Sequence, residues 1–151
     1  MFKISFLFNS IAYMKIYSFY ILFFWFLLTS CDSQNCHIED TYVNFNIDLS
    51  LPEYSELIPL GNSIFIEGGH AGIIIYHLGK NDYRIYDRKC SYEPSLECSY
   101  IDSINSTIAF CNCCSSAFSL NQEGHPLNSP ALCPLKKYSY SITEESLHIF
   151  N

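Results

Sequence analysis

Basic side chains are scarce in this sequence: 8 Lys and Arg stand against 15 Asp and Glu, giving a formal net charge of −7. A surface of that sign repels phosphate backbones, so nucleic acid is a poor partner. Beyond residue 31 no stretch sustains a 3.6-residue apolar period over three turns, which argues against a helical bundle. No internal repeat and no low-complexity segment appears, and the 151 residues leave room for one domain. Apolar runs long enough to cross a bilayer are also missing. The longest, Ile16 to Leu28, is thirteen residues, well short of the roughly 20 that a spanning helix needs. Nor can a nucleophile with an adjacent base be picked out, so nothing points to an independent enzyme; at most the chain would be an electron-transfer component of one.

What the short apolar run offers instead is an export signal. Lys15 precedes it and the small polar pair Thr29 and Ser30 follows, the order of a positive n-region, an apolar h-region and a cleavage region. Met14 offers a second start beside Met1. The signal ends in Leu28-Thr29-Ser30-Cys31, which resembles the bacterial lipobox. That resemblance implies removal of residues 1–30, acylation of Cys31, and a lipoprotein of the bacterial cell envelope facing the periplasm or exterior. Two or three acyl chains make such attachment stable, because each buried CH₂ contributes about 0.8 kcal/mol. Loss of residues 1–30 removes two lysines and no acid, leaving a mature charge of −9. Residues 31–41, polar and unpatterned after the cysteine, suit a tether. Residues 42–151 are then the domain.

The domain reads as strands. Val43, Phe45, Ile47 and Leu49 alternate with Asn44, Asn46, Asp48 and Ser50, a period-two run with one buried face. Further short strands are expected over Ser63–Glu67, Ala71–Leu78, Tyr83–Arg88, Ser99–Asp102, Thr107–Cys111 and Ala117–Leu120. A last hairpin joins Tyr138–Ile142 to Ser146–Phe150. Ile73, Ile74 and Ile75 are consecutive β-branched residues, which favour strand over helix. The pattern predicts an all-β fold, a small antiparallel sandwich or barrel.

Chemistry concentrates in the cysteines. Outside the cytoplasm thiols tend to pair. Seven cysteines remain once Cys31 is acylated (Cys36, Cys90, Cys98, Cys111, Cys113, Cys114 and Cys133), and an odd number leaves at least one free, on a metal, or paired between chains. Cys90 lies just after an expected strand, and Cys111-Asn112-Cys113-Cys114 lies between two others. Two such loops brought together at one tip can hold a metal or a disulfide. His70, His77, His125 and His148 show no metal-ligand spacing, and His125, beside Gly124 and Pro126, reads as a turn residue.

The wider segment resembles a Rieske domain. The matching stretches are Tyr86-Asp87-Arg88-Lys89-Cys90-Ser91-Tyr92, Cys111-Asn112-Cys113-Cys114-Ser115-Ser116-Ala117-Phe118, Glu123-Gly124, and Pro130-Ala131-Leu132-Cys133-Pro134-Leu135-Lys136-Lys137-Tyr138. They fall in the family's order across about residues 60–151. The resemblance implies a 2Fe–2S cluster, two cysteine-bearing loops at one tip, electron transfer and a redox partner protein. The departures fall on the ligands. A Rieske cluster has one iron on two thiolates and the other on two imidazoles. Matched position by position, Cys90 and Cys111 keep the thiolate places, whereas Tyr92 and Cys114 occupy the imidazole places. A cluster held this way would be more negative than a Rieske cluster, with a potential falling toward about −400 mV. Cys113 stands where high-potential members carry a disulfide cysteine, with Cys98 as its candidate mate. Cys98 could instead supply a fourth thiolate beside Cys90, Cys111 and Cys114, making a zinc or iron site. A third possibility is that disulfides replace the metal altogether.

Overall fold

A computed structural model of the protein describes residues 36–151. The signal segment 1–30 and the lipidation position Cys31 lie outside the described residues. Among those described, no helix is long and apolar enough to cross a membrane.

The described residues form ten strands: β1 (Asn44–Asp48), β2 (Ser63–Ile66), β3 (Ile73–Gly79), β4 (Asp82–Asp87), β5 (Ser103–Asn105), β6 (Ile108–Cys111), β7 (Ser116–Ser119), β8 (His125–Pro126), β9 (Ser139–Ile142) and β10 (Ser146–Phe150). They pair antiparallel throughout, in three sheets ordered β1-β10-β9, β2-β3-β4 and β5-β6-β7-β8. The fold is all-β.

The middle sheet explains the sequence's one uninterrupted apolar stretch in the domain. A strand with one wet face alternates, as β1 does; one covered on both faces reads as a continuous apolar run. Ile73, Ile74, Ile75 and Tyr76 are all buried. Ile73 and Ile75 join a core with Ile47, Ile85, Leu147 and Ile149, on the side of the first sheet. Ile74 and Tyr76 face the other way, into a core with Tyr86, Ala109, Phe118, Cys90 and Cys111. The middle sheet is therefore packed on both faces, and the second core runs into the cysteine loops.

The pairing places those loops at one end. Ile73 pairs with Asp87, and the β3–β4 turn at Lys80-Asn81 closes the opposite end. Residues 88–102, between β4 and β5, form the first loop. Residues 112–115, between β6 and β7, form the second. A third runs from Leu127 to Tyr138 before β9.

Two local expectations need correction, and one element was not foreseen. Residues 99–102 do not form a strand; they make a single bridge, Lys89 with Tyr100. The preceding backbone turns at Leu96 and Ser99, whose N–H groups donate to Glu93 and Leu96 carbonyls, and this uses up the chain that would have extended a ladder. His125 is not a turn residue but opens the short edge strand β8, where Pro126 is tolerated because an edge needs no further donor. Pro52 starts a 3-10 helix over Pro52–Leu57 that buries Leu57. Periodicity cannot reveal an element that short.

Residues 36–41 have no regular structure yet are held to the domain. Cys36 is in a disulfide with Cys133, Ile38 is 6% exposed, and Lys136 Nζ donates to the Glu39 carbonyl and the Asp40 carboxylate.

Candidate metal centre

Cys90 is positioned by a buried carboxylate three residues before it. Asp87 is fully buried at the end of β4 and accepts from four donors: the backbone N–H groups of His70 (2.6 Å), Ala71 (3.3 Å) and Lys89 (2.7 Å), and the Tyr138 hydroxyl (2.6 Å). A buried charge is tolerated only when so satisfied. The cage also explains Gly69, whose φ is +62°: a Cβ there would sit 2.6 Å from Asp87 Oδ2 and 2.7 Å from the Tyr138 oxygen. From this anchor the chain runs through Lys89, whose Nζ donates to the Leu96 carbonyl at 2.8 Å, into Cys90, whose N–H donates to Ser99.

The second loop is set by its own pairing. Cys111 ends β6 and is the register partner of Ser116 on β7, so four residues turn between them, with Ser115 at a left-handed φ of 58°. The carboxylate of Asp102 accepts from the backbone N–H and side-chain amide of Asn112, and Asn128 straps the far side by donating to Ser115 and accepting from Ala117. Cys113 is carried outward to a disulfide with Cys98, Cα–Cα 5.6 Å, which joins the two loops. Cys98 is therefore not available as a fourth thiolate.

Three thiols are left, and they converge. The sulfurs of Cys90, Cys111 and Cys114 all lie within 4.8 Å of one another, with Cys90 and Cys114 at 3.5 Å. Cys90 and Cys111 are buried and Cys114 is partly exposed. Among the described residues no His, Asp or Glu joins this group. Tyr92 is partly buried against the same core, with its carbonyl held by the Ser99 hydroxyl at 2.6 Å.

The electrostatics divide the three. Burial pushes the Cys90 thiol far up, against a backbone N–H donated by Tyr92; Cys111 is also raised, chiefly by burial, against an N–H from Cys114. Burial works to raise Cys114 as well, but the hydroxyl and N–H of Ser116, with the neighbouring Cys111 and Cys90 thiols, outweigh it and bring Cys114 below its ordinary value. Each sulfur thus accepts an N–H from its own loop, the kind of hydrogen bonding that supports a thiolate once a cation is present.

No family model matches the chain, and no curated relative matches it by sequence. Solved structures with a similar course of the chain exist. The ferredoxin of carbazole 1,9a-dioxygenase from Nocardioides aromaticivorans IC177 is 14% identical, over 74% of this chain and 98% of that one, with a TM-score of 0.45. A chain from a complex of reduced oxygenase and oxidized ferredoxin in carbazole 1,9a-dioxygenase is 17% identical, over 60% and 82%, with a TM-score of 0.44. At these identities and scores, what those proteins do does not transfer to this chain.

Three parts of the site were not expected from the sequence. The disulfide of Cys36 with Cys133, Cα–Cα 5.9 Å, ties residue 36 to the third loop, and the Ser91 hydroxyl donates to the Cys133 carbonyl at 2.6 Å. Parity held the signal: with three thiols on a metal and Cys98 with Cys113, only Cys36 and Cys133 are left over. Ser116 as donor to Cys114, and Asp87 as the organiser of the first loop, carried no signal in spacing.

The donor set itself tests which metal fits. Three thiolates without an imidazole do not reproduce the two-thiolate, two-imidazole set of a Rieske cluster. They do fit a sulfur-loving metal, zinc or iron.

Proposed function

We propose that residues 42–151 are a membrane-tethered domain of the Rieske type that holds a metal centre on Cys90, Cys111 and Cys114, with Tyr92 beside the remaining position. The observation that carries this reading is the state of the cysteines. Four of the seven described are in disulfides, whereas the three that converge within 4.8 Å stay as thiols. In an exported protein, thiols 3.5 Å apart that do not pair are best accounted for by a metal that occupies them.

Which metal decides the chemistry. As an iron–sulfur centre, the reading nearest the resemblance, a 2Fe–2S cluster would supply one-electron transfer to a partner protein, at a potential lowered by the extra thiolate. The second reading is a single structural ion, and a specific distance favours it. A tetrahedral ion with bonds of about 2.3 Å keeps its sulfurs roughly 3.8 Å apart, close to the 3.5 Å between Cys90 and Cys114. Under either reading Asp87, Ser116 and the Cys98–Cys113 bridge hold the ligand loops, and the domain needs no catalytic residue of its own.

Metal and sulfide analysis of the domain purified anaerobically tests both. Two irons with labile sulfide and a visible charge-transfer spectrum support the cluster. One equivalent of zinc or iron without sulfide supports the single ion. Protein that binds neither on reconstitution with all three thiols alkylatable overturns the proposal.

A further inference from the structure

The Cys36–Cys133 bridge bears on the direction in which the metal-bearing end faces. Cys133 sits in the third loop, two residues from Ala131, which packs in the same core as Cys90 and Cys111; its carbonyl is held by Ser91, the residue after Cys90. Residue 36 is therefore fastened to the cysteine end of the domain, not to the β3–β4 turn. Cys36 lies five positions beyond Cys31, and five extended Cα-to-Cα steps reach at most about 17 Å. Lys136, through the Glu39 carbonyl and the Asp40 carboxylate, adds only exposed polar contacts between the chain after Cys36 and the segment that follows Cys133, so the covalent bridge is the main restraint.

We infer that, in the acylated protein, the cysteine-bearing end lies against the surface of the bilayer, with Leu132 and Leu127 of the third loop as its contact residues. This rests on acylation of Cys31. Leu132 is 64% and Leu127 50% exposed, and Asn128 straps this loop to the turn that carries Cys113 and Cys114. Apolar side chains held this close to a lipid anchor enter the headgroup boundary, where an interfacial contact buries its apolar face by about 5–10 Å. The first loop carries exposed Glu93 and Glu97, so the third loop rather than the first makes the contact, and the surface suited to it is zwitterionic rather than anionic. A partner of the metal centre then has to meet it at the membrane interface.

Depth-dependent fluorescence quenching tests this on the full mature lipoprotein. The only tryptophan of the chain is Trp25, in the signal segment, so L132W or L127W gives a single fluorophore, as does K80W at the opposite end of the middle sheet. Each variant is labelled with fatty acid to verify acylation and reconstituted into phosphatidylcholine vesicles whose acyl chains carry a nitroxide near the headgroup. The expected result is loss of emission and a blue shift for L132W and L127W but not for K80W. Replacing Cys36 and Cys133 by serine in the L132W protein should reduce its quenching to the level of K80W. Acylated, vesicle-bound protein in which all three fluorophores are quenched alike, or none is, overturns the inference while leaving the anchor intact. Quenching of L132W that survives loss of the bridge removes the bridge as its cause and also overturns it. Absence of acylation overturns the anchor reading, and the inference falls with it.

Discussion

At the scale of single residues the site is made uneven by one serine. Cys90, Cys111 and Cys114 are all subject to burial, yet only Cys114 lies below the ordinary thiol range, because Ser116 donates both its hydroxyl and its N–H to that sulfur. Ser116→Ala keeps the backbone donor and removes the hydroxyl. Burial is then opposed by fewer donors, and the Cys114 thiol should rise. In metal-free protein the expected outcome is slower alkylation of Cys114 at neutral pH, with the midpoint of the rate-against-pH curve displaced upward. Cys111 and Cys90 should stay unreactive in both proteins. An unchanged midpoint would show that the Ser116 hydroxyl does not reach the sulfur.

At the scale of elements, the first loop depends on the junction between β4 and the segment entering β9. Tyr138 donates to Asp87 from 51 residues away, and its own hydroxyl is held far above the usual phenol range, by burial first and the Asp87 carboxylate second. Tyr138→Phe keeps the ring in its core and leaves a buried carboxylate one donor short. Hydrogen bonds to charged groups contribute about 1.5–3 kcal/mol, so a loss of that size is expected in denaturant unfolding with an unchanged m-value. The elements differed in how far they could be read beforehand. Alternation placed β1 and the β9–β10 hairpin, and consecutive isoleucines placed β3, because periodicity reports which faces are buried. The first loop was not legible, since bonds such as Asp87 to His70 and Tyr138 join residues that no local pattern relates. For the site, the sequence alone offered two cysteine-bearing loops, and the resemblance to Rieske domains singled out Cys90, Cys111 and Cys114 among them. The second disulfide was hidden because Cys36 lies in a polar stretch that reads as a plain tether, and polar composition says nothing about what a cysteine within it is bound to.

At the scale of the whole molecule, the two disulfides close loops of very different length and should matter in different ways. Cys36 and Cys133 are separated by 97 residues, Cys98 and Cys113 by 15. If the bridges act by restricting the unfolded chain, the long one contributes about 4–5 kcal/mol and the short one about 3 kcal/mol. Their effects on the metal should be reversed. The short bridge joins the loop after Cys90 to the turn that holds Cys111 and Cys114, whereas the long one touches neither loop covalently. Replacing Cys98 and Cys113 by serine should therefore cost less in unfolding free energy and more in metal affinity, measured by competition with a chromogenic chelator. Replacing Cys36 and Cys133 should do the opposite: the larger fall in denaturation midpoint, with metal retained in the folded fraction. Folded protein of each variant has to be compared at the same pH, because a metal entering this site must displace the protons that burial keeps on Cys90 and Cys111, so affinity climbs as pH rises. Equal loss of metal in both variants would mean that the thiol group is held by the fold as a whole and not by the clamp between its two loops.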